Sequence, residues 1–301
     1  MIPDLLGTRV ARGTVVSIVS HGHGVQVERL LAQLGELPAG ALAAVVLTVN
    51  SPELDASLLS RASFFCGPLA KELNLHVLQN ANPLGFGANH NRAFRLASEL
   101  FQDRLGIFCA VNPDIELIDV VGNTGAALSP ALLFKLVDAL VQPGVGMAYP
   151  AQVDATGRLL DFERALATPW GIASRVGGRV VGRLVGQVWQ RFNGQPRSAG
   201  QPPDWVNGAF MAFRADVFAA LGGFDERYFM YCEDIDICLR LQLTGYALAR
   251  ANAAVVHHTQ RRTLKNRQHL AWHIQSLLRL WRSSAYHDYS DLLKKRKTKG
   301  R

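Results

Sequence analysis

Four short apolar runs, at residues 15–19, 43–49, 75–78 and 107–111, each give way to polar residues, and stretches of helical spacing lie between them. After the first run Val27, Leu30, Leu31 and Leu34 recur at the interval that lines one face of a helix, and a second helix is expected over residues 89–102. Strands alternating with helices in this way form a mostly parallel central sheet flanked by helices, an α/β fold that takes ligands at the carboxyl ends of its strands. The polar stretches 20–24, 50–52, 80–87 and 112–114 all fall at such ends.

Further along, the pattern predicts a helix over 130–141, strands at 145–149, 158–163 and 207–213, and helices at 215–221 and 233–244, the last closed by Gly245. Two more strands are expected, at 246–250 and 253–257. Residues 165–203 differ in character: they carry no acid and five arginines, and Arg175, Arg179 and Arg183 step every four residues beside Val176, Val180, Leu184 and Val188. This predicts a basic amphipathic helix inside an insertion over 165–204. It either packs on the core as a solvated helix or meets a phosphate-bearing acceptor or a membrane surface. The chain thus divides into a domain over 1–260 and an extension over 261–301 made of an amphipathic helix and a basic tail.

The net charge of +8 is localised. Residues 261–301 hold twelve Lys and Arg against Asp288 and Asp291, a net +10, which leaves −2 for the other 260 residues. A basic end suits anionic lipid, where each nearby cation contributes about 1 kcal/mol, or it is a solvated tail. Without aromatic stacking motifs it is a weak footprint for nucleic acid, so no nucleic-acid partner is expected. Met1-Ile2-Pro3-Asp4 lacks a basic and then apolar leader pattern, and no apolar run approaches the roughly 18–20 residues of a membrane span. The expected location is the cytoplasm, at the inner face of the cell membrane through the tail. Cys66, Cys109, Cys232 and Cys238 lack metal-binding or disulfide spacing and are expected to be reduced.

Chemistry concentrates at two distant places. Asn112-Pro113-Asp114 follows a buried strand, which delivers Asp114 to the sheet's carboxyl edge. One carboxylate together with a substrate diphosphate is a workable site for a hard cation such as Mg²⁺ or Mn²⁺, although such a tripeptide is equally a plain turn. Glu233 and Asp234 open a helix, where capping alone favours acids. The preceding apolar run Tyr228-Phe229-Met230-Tyr231 should partly bury them and raise a carboxyl toward general-base values, which favours Asp234 as the base; Asp236 has a structural outlet in Arg240. His257 and His258 end a strand and point to opposite faces, so at most one of them faces the site. Gly85-Phe86-Gly87 followed by His90 departs from a dinucleotide fingerprint.

Taken in order, Val16-Ser17-Ile18-Val19-Ser20-His21, Asn82-Pro83-Leu84-Gly85-Phe86-Gly87-Ala88-Asn89-His90-Asn91, Asn112-Pro113-Asp114, Trp205-Val206-Asn207-Gly208-Ala209-Phe210-Met211, Gly222-Gly223-Phe224-Asp225-Glu226 with the run to Leu241, and Val255-Val256-His257-His258 resemble family 2 of the inverting glycosyltransferases. The resemblance covers roughly residues 14–258 and implies the GT-A fold, Rossmann-like, with a nucleotide-sugar donor and Mg²⁺ or Mn²⁺. It implies that Asp114 is the metal-contacting second acid of a D-x-D motif with Asn112 in the first place. It further implies that His257 is a metal or diphosphate ligand, that Asp234, with Glu233 beside it, is the catalytic base, and that Ser20, Asn50 and Asn91 line the nucleotide pocket. Val49 stands where the family carries a base-contacting aspartate. The ending His257-His258-Thr259-Gln260-Arg261-Arg262-Thr263, with Trp272-His273-Ile274-Gln275-Ser276 beyond it, is similar to bacterial rhamnosyltransferases. That similarity implies dTDP-L-rhamnose as donor and a cell-surface glycan or lipid-linked acceptor. The rival expectations are a binding module of the same fold without catalysis, favoured by Asn112 and Val49, and a nucleic-acid-binding protein.

Overall fold

The computed structural model describes residues 13–61, 65–118, 131–166, 202–258 and 267–299. An eight-stranded mixed sheet runs in the order β3 (Leu75–Gln79), β2 (Ala44–Val49), β1 (Thr14–Ser20), β4 (Ile107–Val111), β9 (Phe210–Arg214), β6 (Val145–Val153), β10 (Ala247–His257) and β5 (Ile115–Leu117). Four of its seven pairings are parallel: β1 with β2 and β4, β2 with β3, and β6 with β10. Strand β9 runs against both neighbours, so its start, not its end, lies at the edge where β1, β2 and β4 finish. A two-stranded ribbon of β7 (Glu163–Arg164) and β8 (Trp205–Val206) stands apart.

Side chains alternate between two cores, as period-two geometry requires. Val16, Ile18, Cys109, Val111, Phe210 and Ala212 face one side. There they meet Val27, Leu30, Leu31 and Leu34 of α1 (Gly24–Gly35) and Leu132, Leu133 and Leu136 of α5 (Ala131–Leu140). Val15, Phe108, Met211 and Phe213 face the other side. That side is covered by α4 (Phe86–Phe101), α6 (Ala215–Ala220), α7 (Glu233–Leu243), α8 (Arg267–Trp281) and α9 (Ser284–Lys299). Phe94, Phe108, Phe213, Phe218 and Phe224 form an aromatic cluster with several ring centroids about 5 Å apart. Two short helices, α2 (Ala56–Leu59) and α3 (Pro68–Glu72), complete the β2–β3 crossover.

The two strands expected at 246–250 and 253–257 are one strand, β10, whose register to β6 shifts between Arg250 and Ala254. Of the strand expected at 158–163 there remain a single bridge from Leu159 to Val153 and the two residues of β7. Most of the insertion over 165–204, including Arg175, Arg179 and Arg183, lies outside the described residues. Its two ends are held side by side: the Leu166 N–H donates to Asp204 Oδ2 at 2.7 Å, and the Trp205 indole donates to the Ala165 carbonyl at 2.8 Å. At the C-terminus Lys294 to Lys299 continue α9 as helix. That helix is anchored by the buried Tyr289, whose hydroxyl lies 2.9 Å from Asp204 Oδ1 and 3.0 Å from Gln242 Oε1.

Candidate active site

Asp114 leaves the carboxyl end of β4 and faces the end of β10. Its backbone carbonyl accepts the His258 N–H at 3.0 Å, and its side chain lies 3.6 Å from His257 Nε2. That separation is too long for a hydrogen bond, and Asp114 Oδ1 is buried with no such partner among the described residues. The two histidines diverge as a strand end demands. His257 turns to Asp114 and Gln152, while His258 Nε2 lies 2.8 Å from Glu116 Oε2 on the other face.

Behind His257 sits a pair of amides. His257 Nδ1 is 3.0 Å from Gln152 Oε1; Gln152 Nε2 donates to Asn207 Oδ1 at 2.6 Å, and Asn207 Nδ2 donates back to Gln152 Oε1 at 3.0 Å. Asn207 belongs to the turn that opens β9. The same turn reaches both acidic places, because Ala209 O accepts the Asn112 N–H at 2.9 Å and the Gly208 N–H donates to Asp234 Oδ2 at 3.1 Å. The segment leading to Asp114 and the carboxylate of Asp234, 120 positions further on, therefore bond to one three-residue loop.

Asp234 and Glu233 form the first turn of α7. Asp234 also accepts the Ile235 N–H at 2.9 Å, so two backbone donors face its carboxylate. Burial raises its pKa, opposed by those donors and by the Arg164 charge. Glu233 is 6% exposed, its Oε2 has no partner among the described residues, and burial followed by the Asp234 charge pushes its carboxyl well above the ordinary range. Burial thus pushes both carboxyls upward, while two N–H groups favour the anion of Asp234, the arrangement that suits a general base.

Tyr231 and Cys232, just before this turn, both have positive φ, 72° and 66°. Such left-handed non-glycine residues persist only where their surroundings hold them. Helix α8 supplies much of that support: Ser276 Oγ donates to the Met230 carbonyl at 2.8 Å, the Tyr231 hydroxyl lies 2.9 Å from His269 Nδ1, and Trp272 packs on Phe229 at 4.7 Å between ring centroids. From the other side the Phe86 N–H donates to the Phe229 carbonyl at 2.9 Å.

Ser20, Asn50 and Asn91 are buried and engaged within the protein. Ser20 Oγ donates to Asp55 Oδ1 at 2.8 Å; Asn50 exchanges hydrogen bonds with Leu84 and accepts one from Asn80; Asn91 clamps both backbone groups of Phe224. They shape the loops at the carboxyl edge through these contacts. Gln152, Asn207, Asp55 and Arg164 received no role from the sequence. The available signal was Gln152, a polar residue 1% exposed within an otherwise apolar strand.

Residues 163–293 match the family described as Glycosyl transferase family group 2. Over that stretch the chain is similar to the family 2 glycosyltransferases. The match runs through α8 into α9, across position 260. A relative in Mycobacterium tuberculosis, an N-acetylglucosaminyl-diphospho-decaprenol L-rhamnosyltransferase, is 28% identical over 213 residues, 67% of this chain and 65% of its own length. The rhamnosyltransferase WbbL of Escherichia coli K12 is 42% identical over 80 residues, 25% of this chain and 30% of its own. The chain therefore spans less than two thirds of the length of either relative. Among solved structures, the Pyrobaculum calidifontis mannosyltransferase PcManGT, in complex with GDP-Man and Mn²⁺, superposes with a TM-score of 0.51 at 16% identity over 92% of this chain and 72% of that one. Glucosyl-3-phosphoglycerate synthase of Mycobacterium tuberculosis gives 0.51 at 15% over 92% and 82%. The fold is GT-A, as the sequence motifs implied.

Proposed function

We propose that this protein is an inverting glycosyltransferase that moves a sugar, L-rhamnose from dTDP-L-rhamnose, to a hydroxyl group of a lipid-linked glycan acceptor. The observation that supports the reading is that the Asn207-Gly208-Ala209 turn bonds both to Asn112, two residues before Asp114, and to Asp234, while Asp114 lies 3.6 Å from His257. Support for rhamnose comes from the names of both aligned relatives, and support for a lipid-linked acceptor from that of the Mycobacterium tuberculosis relative.

In this scheme Asp234 takes the proton of the acceptor hydroxyl. The acceptor oxygen then attacks the anomeric carbon from the face opposite the diphosphate, and the carbon–oxygen bond to phosphate breaks with inversion. Burial and the neighbouring Asp234 charge disfavour a charge on Glu233, which limits like-charge repulsion beside the base. Mg²⁺ or Mn²⁺ fits the Asp114–His257 gap, because the unpartnered Asp114 oxygen and an imidazole nitrogen suit such a cation when phosphate oxygens complete the shell. No group of three or more His, Cys, Asp or Glu among the described residues could hold a metal alone, so the donor diphosphate would have to contribute. When bound, the cation neutralises charge on the departing nucleoside diphosphate.

A lipid-linked acceptor of this kind would be met at a membrane surface. No helix among the described residues is long and apolar enough to cross a bilayer. Helix α8, however, exposes Leu270, Ile274 and Leu278 along one stripe, with Arg267 and Arg282 exposed at its two ends and no acid within it. A face of this composition lies well on an anionic bilayer surface.

A panel of nucleotide sugars screened for protection against thermal unfolding, with and without Mn²⁺, tests the donor. Stabilisation by dTDP-L-rhamnose above other donors is expected, and a preference for a UDP-hexose would refute it.

A further inference from the structure

The hydrogens of the amide pair behind His257 are fixed by a single backbone group. The Ala209 N–H, which can only donate, points at Asn207 Oδ1 at 3.3 Å, and this identifies the acceptor end of that side chain. The opposite end of Asn207 must then be its NH₂, so the atom of Gln152 that it meets at 3.0 Å is Oε1. The reciprocal bond at 2.6 Å, Gln152 Nε2 onto Asn207 Oδ1, agrees with this assignment. Gln152 Oε1 carries no hydrogen, and it is also the atom 3.0 Å from His257 Nδ1, so the hydrogen of that contact belongs to the imidazole. In neutral imidazole the other nitrogen is then bare.

That bare nitrogen, His257 Nε2, lies 3.6 Å from Asp114 Oδ1, itself without a hydrogen-bond partner among the described residues. Two electron-pair donors thus face one another with no hydrogen between them. Left alone this arrangement is unfavourable. It is the geometry expected of two ligands to a common cation, with the far nitrogen of the histidine tied to an oxygen behind it.

We propose that the Gln152–Asn207 amide pair is a positioning device that holds His257 as its Nδ1–H tautomer, so that Nε2 and the Asp114 carboxylate converge on one cation. The proposal rests on the cation site described under the proposed function and adds the residues that set it. Because Asn207 and Gly208 are adjacent, the same turn that orients the histidine also presents an N–H to Asp234. One strand entry thereby keeps the cation side and the base side in register.

The test begins with the metal-free parent protein. A two-bond ¹⁵N–¹H correlation spectrum with neutral imidazole, assigned with a His257→Gln variant, should show His257 protonated at Nδ1. A spectrum with the proton at Nε2, or an equal mixture of both forms, overturns the proposal. Manganese uptake in the presence of dTDP, read by the electron paramagnetic resonance of free Mn²⁺, supplies the second readout. Gln152→Met removes the oxygen behind the imidazole and should weaken uptake about 10- to 100-fold, the range for losing such an outer partner. Gln152→Glu keeps an oxygen facing Nδ1–H and should retain both the tautomer and most of the affinity. A folded Gln152→Met protein that binds Mn²⁺ within twofold of the parent overturns the role of the pair. If that variant fails to fold, the parent spectrum and Gln152→Glu decide the matter. A parent that shows the Nδ1–H form yet takes up no Mn²⁺ with dTDP refutes the cation site itself, which separates failure of that reading from failure of the tautomer assignment.

Discussion

Asp234→Asn separates catalysis from stability. The substitution keeps the shape of the side chain but leaves one oxygen to accept from two N–H groups, Gly208 at 3.1 Å and Ile235 at 2.9 Å. Stranding one of these donors costs about 1–3 kcal/mol. Against this, removing a carboxylate whose charge burial disfavours, next to Glu233, returns a comparable amount. Net stability should therefore stay within about 1–2 kcal/mol of the parent. Loss of a positioned general base lowers the rate about 10²- to 10⁴-fold, equal to about 2.7–5.5 kcal/mol of barrier. Initial rates of nucleoside diphosphate release at saturating donor and acceptor, paired with denaturant unfolding, give both quantities. Glu233→Gln is the control: burial disfavours a charge on Glu233, and an amide of the same shape should leave kcat within about tenfold. A folded Asp234→Asn enzyme that keeps more than a tenth of the parent kcat, or a Glu233→Gln enzyme as impaired as Asp234→Asn, would refute the division of roles.

Glu233 also has a signature in stability. Its folded pKa is raised, so its contribution is fully present below the ordinary carboxyl value and is lost as pH rises through the raised one. Across that interval the unfolding free energy of the parent should fall by about 1.4 kcal/mol for each pH unit, and Glu233→Gln should flatten the decline; parallel pH profiles for the two would contradict it. Gly85→Ala places a Cβ 2.7 Å from the Phe229 carbonyl oxygen and 2.8 Å from its Cα, backbone that must move. A loss of about 1–3 kcal/mol is expected in urea unfolding, together with reduced activity, because that segment leads into Glu233. Ile274→Glu puts an acid in the exposed stripe of α8 and should reduce co-sedimentation with anionic vesicles without lowering thermal stability, whereas unchanged co-sedimentation would exclude the stripe from the contact.

Much of this architecture was legible because burial and periodicity are local signals. Leu30, Leu31 and Leu34 are helical neighbours whatever they pack against, and a run such as residues 107–111 has few stable fates other than a covered strand. The acids were legible for a related reason: a carboxylate after a strand and two at the start of a helix are placed by backbone direction alone. Hydrogen-bond partnership is not local. Asn50 follows a strand and Asn91 lies in the first turns of a helix, places that suggest a ligand, and their amides meet Leu84 and Phe224, partners that only the assembled chain reveals. His90, where a third glycine of a dinucleotide fingerprint would stand, is fully buried beside Phe86, and burial lowers its pKa to about 3. The continuity of β10 was hidden as well, since a register shift between Arg250 and Ala254 breaks the alternation that would have marked a single strand.

Helix α8 braces the segment that precedes the Glu233–Asp234 turn. A protein cut after His258 would keep all six motifs of the family resemblance, yet the Met230 carbonyl, the Tyr231 hydroxyl and the Phe229 ring would each lose a neighbour. Two left-handed residues would then be free to relax, and the acid they deliver would drift from its station. The distal helices thus act as a splint, and trimming this protein to its motifs would yield a folded sheet with an unset jaw.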